Sequence, residues 1–251
     1  MRLFNGELAL VTGAGRGVGQ AIARGLARMG AAVVLTDLRD AEVAQTADAL
    51  VREGHRAWSH ALDVTDAAQV ADVAARVMRE AGDVSILVNN AGVCLRAPFD
   101  DNAAFHDIWR TTMDVNVQGI INVSLAFHAS LRKTRGRVVN MASIASFVAT
   151  TNNPSYPVSK AAVSMLTKSM AQQWANDGIR VNAIAPSLVE TPMADGIRQV
   201  PGRMEELLRR VPLGRVAAAE EMAGPVAFLA SELSSYVTGI TMPVDGGFLA
   251  I

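Results

Sequence analysis

A short apolar run that breaks into glycines and then into a helix limits this chain more than any other stretch. Leu8-Ala9-Leu10-Val11-Thr12 carries no alternation of polar and apolar residues, as a strand does when both faces of its sheet are covered. Gly13-Ala14-Gly15-Arg16-Gly17-Val18-Gly19 follows, and Gln20 to Met29 reads as a helix. Glycines permit a tight turn and let a ligand approach the backbone closely. The helix start then offers unpaired N–H groups and a partial positive charge to a pyrophosphate. A glycine-rich turn is weak evidence by itself. Strand, glycines and helix in this order are strong evidence for a dinucleotide site.

The alternation continues along the chain. Further strands are read at Ala32–Asp37, Arg56–Leu62, Ser85–Val88, Arg137–Met141, Arg180–Ile184 and Thr241–Val244. Helices are read at Ala41–Arg52, Asp66–Glu80, Ala103–Leu131, Ala161–Ala175 and Ala218–Ala230. Right-handed crossovers between them predict a single α/β domain over residues 1–251, with a Rossmann-like, doubly wound, mostly parallel sheet and helices on both faces. Residues 186–210 carry Pro186, Pro192, Gly196, Pro201 and Gly202 and read as a long irregular loop over the substrate.

Net charge is −1, which makes no electrostatic case for nucleic acid or an anionic membrane. No apolar stretch reaches the ~20 residues that span a bilayer, and the apolar run near Met1 is too short for a signal peptide. Cys94 is the one cysteine and has no internal disulfide partner, which suits a reducing compartment. The expectation is a soluble cytoplasmic protein with a small-molecule substrate, no nucleic-acid or membrane partner and no metal site.

Asp37 closes the second strand, 18 residues after Gly19. A carboxylate there accepts hydrogen bonds from adenosine ribose hydroxyls and repels a 2′-phosphate. That favours NAD over NADP. Arg16 and Arg39 count on the other side, because either could cradle the phosphate. Asp63-Val64 ends the third strand, where an adenine would lie. Asn89-Asn90-Ala91-Gly92 ends the fourth strand and suits either a turn against a flat cofactor or a purely structural turn.

Asn153-Pro154-Ser155-Tyr156-Pro157-Val158-Ser159-Lys160 opens the helix read at Ala161–Ala175, with Asn153 or Ser155 as its N-cap. Tyr156 and Lys160 are four apart and share a helix face. A free phenol titrates near ~10, and an adjacent ammonium favours the phenolate and lowers that value. Ser143 stands at the carboxyl end of the strand before, 13 residues ahead of Tyr156, where open sheets bind ligands. Asn116 in an apolar helix interior reads on its own as a satisfied core amide.

Together the order and spacing of these motifs resemble the short-chain dehydrogenase/reductase family over essentially the whole chain. The resemblance implies a seven-stranded sheet of order 3-2-1-4-5-6-7 and a homotetramer. It implies that Tyr156 exchanges the substrate's proton and that Lys160 lowers the phenol's pKa and bonds the nicotinamide ribose. It implies that Ser143 polarises the carbonyl and that Asn116 holds a water leading to Lys160. Gly13, Arg16, Gly17, Val18 and Gly19 would take the pyrophosphate, Asp63 and Val64 the adenine, and Asn90, Ala91 and Gly92 the cofactor-side turn. Val189 and Thr191 would hold the carboxamide beyond Pro186, which is followed here by Ser187 where the family often has glycine. Leu95, Ile144, Phe147, Asn153 and Met193 would wall the substrate, a mixture that suits a polyol, a sugar or a cyclic alcohol. The implied reaction is NAD-dependent interconversion of a secondary alcohol and a ketone. The alternatives are an NADPH-dependent 3-oxoacyl-thioester reductase and a dinucleotide sensor without turnover.

Overall fold

The computed structural model describes residues 2–97, 99, 102–149, 154–191 and 202–250. Strands and helices alternate in them as β1 (Leu8–Thr12), α1 (Gly17–Arg28), β2 (Ala32–Asp37), α2 (Asp40–Arg52), β3 (Ala57–Ala61), α3 (Ala67–Glu80), β4 (Val84–Asn89), α4 (Asn102–Met113), α5 (Gly119–Thr134), β5 (Arg137–Met141), α6 (Ser155–Trp174), β6 (Arg180–Pro186), α7 (Arg203–Leu208), α8 (Ala223–Ala230) and β7 (Thr241–Val244). The strands form one all-parallel sheet of order 3-2-1-4-5-6-7.

The apolar strands are explained by burial on both faces. Along β1 and β2, Ala9, Val11, Val33 and Leu35 join the core beneath α1, α2 and α8, with Ile22, Leu26, Leu50 and Val226. Their neighbours Leu10 and Val34 enter the opposite core with Val77, Phe127 and Trp174. This two-residue alternation between two cores is what an uninterrupted Val/Leu/Ala run becomes in a covered parallel sheet. Each large side chain so buried contributes about 1.5–3 kcal/mol.

Three expectations change. The helix read as Ala103–Leu131 is two helices, α4 and α5, joined by a π-helical turn at Asp114–Gln118. Such turns insert an extra residue and often mark functional sites; Asn116 lies in this one. Second, Ser155 is not an N-cap but the first residue of α6, whose cap is Pro154, so the helix already includes Tyr156 and Lys160 and starts well before Ala161. Third, the segment 186–210 is not irregular throughout, because Arg203–Leu208 form α7. In a parallel sheet all carboxyl ends share one edge, so Thr12, Asp37, Asn89, Met141 and Pro186 open on the same crevice.

Candidate active site

The glycine turn is fitted against the end of β4. Gly13 has φ of +62° and Gly17 of +60°, a region that favours glycine. At Gly19 an added Cβ would fall 2.2 Å from Gly13 O and 2.4 Å from Asn90 Nδ2. Asn90 Nδ2 donates to Thr12 O and to Gly13 O, each at 2.9 Å. Thr12 Oγ1 accepts from the Asn90 and Ala91 N–H groups at 3.0 Å. Asn90 therefore locks the two turns together, the structural reading of that motif. Above it, α1 has Arg16 at its N-cap position, with no side-chain cap and no acid in its first turn. In α3, by contrast, Asp66 caps the N–H groups of Ala68 and Gln69. The uncapped amides of α1 and the absence of Cβ atoms at the turn fit a dinucleotide pyrophosphate.

Asp37 stands beside this turn with its side chain 11% exposed. It accepts from Gly15 N at 3.1 Å and Arg39 N at 3.2 Å. Asp63 Oδ1 accepts from Thr65 N and Thr65 Oγ1 at 2.9 and 2.7 Å. Val64 is buried and packs on Gly119, where a Cβ would lie 2.6 Å from a Val64 methyl. Thr191 overlies the turn, its methyl 3.4 Å from a Cβ placed on Gly17, and Val189 is buried and bridges to Ala217. Pro186 ends β6 opposite Val244 of β7. Leu38, just beyond β2, is 69% exposed.

At the catalytic end the side chains hold one another. Lys160 is buried and donates from Nζ to Met141 O at 2.7 Å, with the ammonium 5.7 Å from the centre of the Tyr156 ring. Ser143, just beyond β5, lies near enough to the Tyr156 phenol to act on its pKa and accepts from Ala145 N at 3.2 Å. Asn116 is fully buried. Its Oδ1 accepts from Val93 N at 2.8 Å, and its Nδ2 donates to Val93 O at 2.9 Å and Ser159 Oγ at 3.0 Å. Ser159 in turn donates to Tyr156 O at 2.7 Å, and Ser146 donates to Lys160 O at 2.7 Å. Two buried or half-buried serines, neither singled out from the sequence, thus clamp the turn that carries Tyr156 and Lys160. Gly92 lies close enough to this cluster that a Cβ there would sit 3.1 Å from Asn116 Oδ1 and 3.5 Å from Lys160 Nζ.

Among the substrate residues, Leu95 and Phe147 are exposed and Ile144 is half-buried, on the segments that leave β4 and β5. Asn153 and Met193 lie outside the described residues.

The family described as Enoyl-(Acyl carrier protein) reductase matches residues 13–249. The oxidoreductase UcpA of Salmonella typhimurium is 40% identical over 259 residues, spanning 98% of this chain and 96% of its own length. This chain is a short-chain dehydrogenase/reductase. The 2-dehydro-3-deoxy-D-gluconate 5-dehydrogenase of Bacillus subtilis is 39% identical, with 98% of this chain and 96% of that protein covered. A gluconate 5-dehydrogenase of Burkholderia cenocepacia, solved with NADP and tartrate, superposes with a TM-score of 0.94 at 37% identity, covering 99% of this chain and 97% of that one.

In this short-chain dehydrogenase/reductase the chain alone does not set the phenol as the sequence suggested. Burial drives Tyr156 above the ordinary phenol range, the nearby Cys94 adds to that rise, and the Ser143 hydrogen bond opposes it. Burial likewise pulls Lys160 down to about 8, against a smaller upward effect of Cys94. The lowering expected of Lys160 on Tyr156 is therefore overtaken by desolvation of both groups. Without further positive charge, the pair rests as neutral phenol and ammonium at neutral pH.

Proposed function

We propose that this enzyme oxidises a secondary alcohol carrying further hydroxyls, a polyol or a sugar acid, to the ketone with NAD as acceptor, and runs the reverse. The observation that carries the reading is the placement of Ser143 beside the Tyr156 phenol and the buried Lys160, on the same sheet edge as the uncapped amides of α1. Sugar-acid dehydrogenases among the relatives support the substrate class. Asp37 beside Gly15 supports NAD.

In oxidation, Tyr156 as phenolate takes the hydroxyl proton while the carbinol carbon gives up its hydride. In reduction, neutral Tyr156 returns the proton to the ketone oxygen. When bound, an oxidised nicotinamide supplies the hydride acceptor and a positive charge beside the phenol. Ser143 directs its hydroxyl to the same oxygen that the substrate must meet, and so aligns substrate and acid. Lys160 keeps a second positive charge near the phenol and, released from Met141 O, can reach ribose hydroxyls. Asn116 acts by position: both hydrogens of its carboxamide are used on Val93 O and Ser159 Oγ, which leaves a water to donate to an Asn116 oxygen. Val189 and Thr191, beside Gly17, take the carboxamide end.

The protein works in the cytoplasm as a homotetramer. Support for assembly comes from two separate exposed apolar faces, Leu125 and Met165 on α5 and α6, and Phe228, Leu233 and Tyr236 around α8. Native mass spectrometry reads the copy number directly. A second reading, NADPH-dependent reduction of a 3-oxoacyl thioester, draws on the name of the matching family and on Arg16 and Arg39 near Asp37.

A panel of polyols, sugar acids and cyclic alcohols, each offered with NAD⁺ and NADP⁺, separates these readings. The expected result is turnover of a sugar acid or polyol at higher kcat/KM with NAD⁺. Turnover only of a 3-oxoacyl thioester with NADPH would establish the second reading, and binding of dinucleotide without any turnover would make the protein a sensor.

A further inference from the structure

We propose that Glu42, in the first turn of α2, is a second acid that sets the dinucleotide preference, acting through Arg39. The inference rests on the NAD reading above and goes beyond Asp37. Gly15 is flanked by two acidic side chains. A Cβ placed on it would sit 3.1 Å from Asp37 Oδ2 and 3.2 Å from Glu42 Cβ. Arg39 lies between the two carboxylates, its Nη1 3.8 Å from Asp37 Oδ1 and its Nε 3.5 Å from Glu42 Oε1. The guanidinium that would otherwise meet a 2′-phosphate is thus shared by two anions.

Glu42 has a second effect on the same corner. Its Oε2 is buried with no hydrogen-bond partner, and the residue lines a groove of about 420 Å³ between α1 and α2. Gly15, Arg16, Arg24 and Arg52 line that groove too, so it opens from the glycine turn and carries three guanidinium groups around one carboxylate. Arginine binds phosphate through paired, charge-assisted hydrogen bonds, and an arginine already held by a carboxylate is less available for it. With Glu42 ionised, a 2′-phosphate meets repulsion and an occupied Arg39. With Glu42 made neutral, Arg39 keeps one partner instead of two and the groove becomes strongly cationic. Both side chains are partly exposed, so the effect is a moderate one and is screened by salt.

Calorimetric titration with NAD⁺ and with NADP⁺ tests this on the wild type, Glu42→Gln, Arg39→Ala and the double variant. The expected result is that Glu42→Gln improves the Kd ratio for NADP⁺ over NAD⁺ by about fivefold at low salt, as a charge change at a partly exposed pair allows. Most of the gain is lost in the Arg39→Ala background, and it shrinks as ionic strength rises. A ratio unchanged within about twofold, or a full gain that persists without Arg39, overturns the proposal. A wild type that binds NADP⁺ more tightly than NAD⁺ would instead defeat the NAD reading, while the Arg39-dependent shift in the ratio would still stand or fall separately.

Discussion

At the glycine turn the groups that open on the crevice belong to the main chain; around Tyr156 they are side chains held by other side chains. Gly13, Gly17 and Gly19 do their part by lacking atoms, and Asn90 fastens the turn so that the first amides of α1 stay open. Tyr156 and Lys160 depend on Ser143, Ser146, Ser159 and Asn116, which come from the end of β5, the turn after it, α6 itself and the π turn. The first arrangement tolerates little added volume. The second tolerates little loss of hydrogen bonding.

The variants that break this comparison start with Lys160→Met. Turnover is expected to fall by on the order of a thousandfold, from loss of the charge that favours the phenolate. Stability should move the other way. Burial holds the folded-state pKa of Lys160 at about 8, below the ordinary 10.5, so the unfolded chain binds more protons between those values. The penalty is complete below pH 8 and fades as pH rises toward 10.5, and it is worth about 3 kcal/mol when complete. Thermal melts should show Lys160→Met several degrees more stable than wild type at pH 7, with the gap closing at alkaline pH. A variant equally or less stable at pH 7 would mean that the ammonium is not held at a cost.

Gly19→Ala tests the other end. Its Cβ would meet a main-chain oxygen and the Asn90 amide, neither of which can move without opening the turn. Dinucleotide affinity should fall about a hundredfold, as expected when several backbone hydrogen bonds to a pyrophosphate are misplaced. Titration of NADH by fluorescence measures it, and near-normal affinity would show that the turn has slack. The smallest effect is expected from Ser159→Ala. It strands an Asn116 amide hydrogen and frees the Tyr156 carbonyl, costing about 1–3 kcal/mol of stability. Here kcat should drop roughly tenfold, the scale of a modest misplacement, with NADH affinity unchanged. An equal loss in both quantities would mean that the two ends are mechanically one.

The same contrast explains what could be read beforehand. Backbone sites announce themselves locally, since the glycine turn, the strand before it and the helix after it are contiguous. The Tyr156–Lys160 pair was legible in its four-residue spacing on one helix, and the sheet order came with the resemblance those motifs carry. Serines 146 and 159 could not be read, because their partners are carbonyls and amides brought in from elsewhere in the fold. The π turn was hidden for a similar reason: the weak helix formers of Asp114–Gln118 do not distinguish a π turn from an ordinary one, and Asn116 bonds across to Val93 and Ser159, which are distant in sequence. Lys160 was read as a partner for the phenol, but its burial against Met141 O depends on a strand end 19 residues away.

The central claim is that Tyr156 moves the proton while the glycine turn holds the dinucleotide, as separable tasks. Tyr156→Phe separates them most directly, because it keeps the ring and removes only the hydroxyl. Once a substrate is in hand, single-turnover hydride transfer followed by nicotinamide absorbance, together with the Kd for NADH, should show transfer lost by at least about a thousandfold and affinity held within about threefold, as for removal of a group used only in the transition state. Transfer at a rate near wild type in Tyr156→Phe would contradict the account.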